Sequence, residues 1–163
     1  MAELILLGLV SFLHDLFTVM WIGGMLVLGF VILPTIKKTL GLGPETKKLI
    51  EAIRKRLSML SYLSMIGLLV TGILLSRISP LYLGPLSFGN EFSTWLTIKH
   101  LMIALMVIIS IVRSIVVPKR AMPEPKKMKI NASLLMLNIV LGIGVLLLSG
   151  FIAAANVVFL STP

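Results

Sequence analysis

Four long apolar runs decide what this chain can fold into. They cover residues about 4–36, 57–78, 92–117 and 130–160, and each is long enough to cross the roughly 30 Å hydrocarbon core of a bilayer, which takes about 20 helical residues. The remainder cannot clothe a water-facing surface. Only 13% of the 163 residues are charged and 58% are hydrophobic, where a soluble domain carries roughly 25% charged residues. The expectation is an all-α integral membrane protein, one transmembrane domain over residues 1–163. The N-terminal MAELILLGLVSFLHDLF has no basic segment ahead of its apolar run, so a cleaved signal peptide is not expected. The absence of cysteine removes disulfides, iron–sulfur clusters and thiolate metal sites.

The charge of +9 is unevenly placed. Seven basic residues fall in the first connection, 37–56, and five in the third, 118–129, which makes twelve of the fifteen. The second connection, 79–91, has proline and glycine but no lysine or arginine. By the positive-inside rule the two basic loops are cytoplasmic and both termini lie outside, in a multi-pass protein of the plasma membrane. Pro118, Pro123 and Pro125 break any helix in the third connection. Short connections favour an up-down-up-down four-helix bundle. The lipid bilayer is the first partner, with anionic headgroups a secondary one. Nucleic acid is not expected, because no aromatic residue interleaves the lysines.

Ionisable residues within the spans carry the functional signal. Measured from Pro34, Leu57 and Val117 as inner ends, His14 stands about 30 Å up the first span, Arg77 about 30 Å up the second and His100 about 26 Å up the third. Asp15 and Lys99 adjoin the two histidines. This places one polar layer near the outer face. Each member also has a plainer reading: Arg77 as a snorkelling interfacial residue, Asp15 with Lys99 as an ion pair between spans one and three, and a histidine as a hydrogen-bonding group across the bundle.

Two imidazoles at matched height suit iron in haem, zinc or copper. Zinc needs at least three protein ligands and no third is evident. Haem b needs two axial ligands and a flat apolar slot, so His14 and His100 are the expected iron ligands. Arg77 or Lys99 would meet the propionates. Glycines that admit a macrocycle are Gly23, Gly24, Gly67, Gly72, Gly142 and Gly144, all of which also suit tight helix packing. The ten methionines, among them Met20, Met25, Met102 and Met106, leave Cu(I) as an alternative cargo. No catalytic triad, phosphate loop or HExxH motif is present.

The first span reads HDLFTVMWIGGMLVLGFVILP, with His14, Trp21, Gly23, Gly24 and Pro34. It resembles the first helix of the copper-resistance D (CopD) membrane domain, with its tryptophan, glycine pair and later proline. The seven-residue step from His14 to Trp21, with Trp95, Leu96 and Lys99 in TWLTIK, also resembles the haem-binding, HemJ-type protoporphyrinogen oxidases. The resemblance covers spans one and three well, span two weakly and span four hardly at all. It implies that His14 is a haem ligand, that Lys99 is essential or close to the haem, and that Trp21 and Gly24 belong to the cofactor-binding element. The chain departs from the HemJ-type pattern in His100 directly after Lys99 and in the pair Gly23–Gly24, which favours bis-histidine ligation over the oxidase activity. The residues thus admit three functions. The first is a haem b protein of one-electron redox, working with a quinone or another membrane redox protein, with an oxidoreductase acting on protoporphyrinogen as its enzymatic version. The second is a copper transport or tolerance protein. The third is a structural bundle clamped by its polar layer.

Overall fold

The computed structural model describes residues 1–41 and 43–161. Residue 42, in the first predicted connection, and residues 162–163, at the predicted outer C-terminus, fall outside the described residues. The described residues are helical with no strand, and among them four helices are each long and apolar enough to cross a membrane: α1 (Ala2–Leu40), α2 (Pro44–Ile78), α3 (Glu91–Lys119) and α4 (Glu124–Ser161).

These helices run well past the apolar segments that announce them. α2 begins at Pro44, thirteen residues before Leu57, so most of the first basic connection is helical. Lysine, arginine, glutamate and alanine are good helix formers, and the end of an apolar run marks a change of surroundings, not a change of backbone. Pro44 stands in the first turn, where its missing N–H costs nothing, and Glu45 there meets the positive end of the helix. Pro125 starts α4 in the same manner.

Pro118 does not break the helix, contrary to the sequence expectation; α3 continues through it to Lys119. The wide π-helical turn Val112–Val116 ends two residues before it. A second π turn, Val27–Ile32, ends two residues before Pro34 in α1. A proline inside a helix withholds a backbone donor and crowds the preceding turn, and a locally widened turn absorbs both effects. A third π turn, Val19–Gly23, carries Trp21 and Ile22.

The core lies among α1, α3 and α4. Trp21, Ile22, Met25 and Leu28 pack with Met106 and with Leu135, Ile139 and Val145. Glycines bring the helices close at several points. Gly67 of α2 faces the ring of Phe17, Gly142 of α4 faces Ile22, and Gly144 faces Met102. A Cβ on Gly67 would collide with the Phe17 ring, so that crossing needs glycine. Trp95 of α3 stacks on Phe151 of α4 at 5.5 Å between ring centroids. Outside this core, Phe12, Leu63, Ile66, Leu69, Leu147 and Val157 are all more than half exposed.

The link between α2 and α3 is fastened to the start of α3. Asn90 caps that helix by accepting from the Ser93 amide at 2.7 Å, and its side-chain amide donates to the Leu81 carbonyl at 2.8 Å. Thr97 Oγ1 donates to the Ser87 carbonyl at 2.9 Å. Ser79 at the end of α2 donates to Asn156 Oδ1 of α4 at 2.8 Å.

Candidate functional site

His14 is held by two threonines. Thr18 Oγ1 donates to its carbonyl at 2.8 Å, an ordinary back-bond one turn on. Thr71 of α2 does more. Its hydroxyl donates to the Gly67 carbonyl at 2.7 Å, and a hydroxyl has one proton to give. The 2.9 Å contact between Thr71 Oγ1 and His14 Nδ1 therefore has the histidine as donor. A neutral His14 with its proton on Nδ1 keeps the lone pair on Nε2. That is the form in which an imidazole binds a metal, with its other nitrogen anchored by a second group.

Around this ring the chain assembles a small charged group. Asp15 is exposed and Lys99, on α3, is half-buried. Lys99 lies within electrostatic range of His14, of Asp15 and of its neighbour His100. Asp15 and Lys99 are not in contact. Among the described residues the one side-chain ion pair within 4.0 Å joins Lys127 to Glu124. The expected clamp between spans one and three is thus a longer-range attraction. A double-mutant cycle of stability in detergent, with Asp15→Asn and Lys99→Met, should give a coupling below about 1 kcal/mol. A coupling of several kcal/mol would mean that the two side chains touch.

The other predicted site residues are less tightly gathered. His100 is exposed on α3. Arg77 is exposed in the last turn of α2, and it is not level with His14 as the sequence suggested. The residue opposite His14 is Thr71, so Arg77 stands six residues, about 9 Å, further along the helix. The discrepancy arises because Pro34 and Leu57, the ends of two apolar runs, are not equal in height. Trp21 is buried in the core beside Met25 and Met106. Of the glycines, Gly67, Gly142 and Gly144 are filled by neighbouring side chains, whereas nothing lies within 4 Å of a Cβ built on Gly24. Gly72 meets the His14 ring at ordinary contact distance.

Among the described residues no three histidine, aspartate or glutamate side chains converge as a metal-holding group. Lys99 lies within electrostatic range of both histidines, and among the described residues no hydrogen bond joins exposed His100 to His14. Thr71 is not legible in the sequence because a lone threonine in an apolar span carries no pattern. Its spacing of four from Gly67 shows only once His14 is seen against it. The chain matches no family model, no curated protein and no solved structure.

Proposed function

We propose that the chain is an up-down-up-down bundle in the plasma membrane, binding haem b through His14 near the outer face and passing single electrons to or from a quinone or another membrane redox protein. The observation that carries this reading is the 2.9 Å contact of His14 Nδ1 with Thr71 Oγ1, whose own proton goes to the Gly67 carbonyl; from it we infer that Nδ1 donates and Nε2 is left to ligate. The haem would supply the Fe(III)/Fe(II) couple. His14 binds it, Thr71 sets the ring's orientation, and His100 is the proposed ligand from α3. Lys99 and Arg77 are the cations available to the propionates, and the open backbone at Gly24 leaves room for an apolar face.

Support for the bundle comes from the contact order. His14 meets Thr71 while Phe17 meets Gly67, and Met102 meets Gly144 while Ser110 meets Asn138. In both helix pairs one number rises as the other falls, which is the signature of antiparallel neighbours. Orientation rests on the basic residues of 37–56 and 118–129. A cysteine replacing exposed Phe88 should react with an impermeant thiol reagent on intact cells, and one replacing exposed Lys47 should not. Reaction at position 47 alone would invert the topology.

The spectrum of the purified protein tests the ligand. Bis-histidine haem gives a low-spin Soret band in both redox states. Loss of that low-spin spectrum in Lys99→Ala, with His100→Ala unchanged, would transfer the second ligand to Lys99. Folded protein, made with haem available, that shows no Soret absorption would sink the reading; copper bound in a His14-dependent manner would then replace it.

A further inference from the structure

A second polar site lies at the far end of the bundle from His14. Arg54 of α2 is seventeen residues, about 25 Å, from Thr71 along the helix. With Arg113 of α3 it lines a cleft that also receives Ser58, Ser61, Tyr62 and Ser110. Both arginines are half-buried and within electrostatic range of each other. Neither has a hydrogen bond or ion pair within 4.0 Å among the described residues. The one carboxylate acting on either is exposed Glu51, on Arg54 from further off. Two guanidinium groups lining one partly dehydrated cleft, against one distant carboxylate and the Tyr62 phenol, leave a positive charge that the protein does not neutralise.

The hydroxyls around them are set to donate. Asn138, which is completely buried, gives its amide protons to Ser110 Oγ at 2.9 Å and to the Met106 carbonyl at 3.3 Å. Ser110 Oγ is therefore an acceptor in that bond, and its own proton is unspent. Ser58 and Ser61 have no side-chain hydrogen bond among the described residues. Tyr62 pairs with Ser114. Among the described residues no carboxylate lines the cleft, so its polar groups offer protons and positive charge in excess of acceptors.

We propose that this cleft binds a phosphate oxyanion between Arg54 and Arg113. Arginine matches phosphate through paired N–H groups, and hydroxyl donors complete the shell. The open cleft has about 20 Å³ of free space at its base, enough for one water-sized body. One phosphate oxygen enters and the rest of the anion stays at the mouth. Arg113 is four residues, about 6 Å, from Val117 at the end of the third apolar run, which is headgroup depth in a bilayer. The same chemistry is offered by a lipid headgroup or by free phosphate. The cleft shares no residue with the His14 site, so it stands whether or not haem binds there.

The test uses full-length protein, delipidated in a neutral detergent, with thermal unfolding as readout. One arm compares sodium phosphate with sodium chloride at matched ionic strength. The other compares phosphatidylglycerol with diacylglycerol of the same chains. A higher melting temperature with phosphatidylglycerol alone assigns the site to a headgroup, and one with both phosphate-bearing ligands assigns it to phosphate from either source. A rise with inorganic phosphate alone assigns it to the free anion. In each case Arg113→Gln should need at least about tenfold more ligand for the same shift, as expected for the loss of one charged hydrogen-bonding partner. Where Arg113→Gln does not fold, Arg54→Gln decides in its place. No response to either ligand, or a folded variant that responds like the original protein, overturns the proposal.

Discussion

On the proposed haem reading, replacing His14 with alanine should leave the purified protein without low-spin haem, because the imidazole with an anchored Nδ1 is gone. Thr71→Val is the finer experiment. Valine keeps the shape of threonine and removes the oxygen that accepts from Nδ1. The ring is then free to turn and to move its proton to Nε2. Groups that orient a ligating histidine are worth roughly ten- to a hundredfold in affinity for the bound metal. Haem transfer from the protein to an excess of an apo-globin should accelerate by that factor in Thr71→Val, with the helical circular dichroism unchanged. Equal transfer rates in the variant and the original protein would mean that Thr71 does not set the histidine.

Trp21 should be the most costly single truncation in the core. It is 2% exposed among Met25, Met106 and Ile139, and Trp21→Ala removes the largest side chain from that packing at a cost of about 3–5 kcal/mol. Trp21→Phe should behave differently. Among the described residues the buried indole Nε1 has no hydrogen-bond partner, so the polar part of the side chain contributes nothing that phenylalanine lacks. Removing an unsatisfied donor offsets part of the lost packing, and the net change should stay within about 1.5 kcal/mol. Unfolding by an anionic detergent measures both variants. A phenylalanine variant as unstable as the alanine one would show that the N–H is bonded.

The four helices long and apolar enough to cross a membrane are legible in the sequence because twenty apolar residues in a row have few other uses. Their ends are not. Nothing in Lys47–Arg56 distinguishes a charged helix from a charged loop, and Pro118 reads as a breaker unless the π turn before it is known. The buried faces are also hidden. π turns at Val19–Gly23, Val27–Ile32 and Val112–Val116 shift the angular phase of every later residue in their helices, so no single helical period runs through α1 or α3. At the site, His14 and Lys99 stand out as ionisable groups in apolar sequence. Arg54 reads as part of a loop and Arg113 as the inner end of a span. Their shared cleft depends on how α2 and α3 meet at Tyr62 and Ser114, which no spacing within either helix encodes. Asn138, inconspicuous as one amide in the fourth span, proves to be a fully buried link to Ser110.

The early start of α2 also has an electrostatic result. Its 35 residues make a rod about 52 Å long, some 20 Å more than the hydrocarbon core of a bilayer spans. Arg54, Lys55 and Arg56 lie within about 5 Å of Leu57 along this rod, whereas Lys47 and Lys48 lie about 14–15 Å from it. The screening length at physiological ionic strength is about 8 Å. In a bilayer the two groups of charge therefore inhabit different electrical surroundings. The inner three sense the lipid surface, and the outer two are shielded from it until dilution to about 0.01 M salt stretches the screening length to roughly 30 Å.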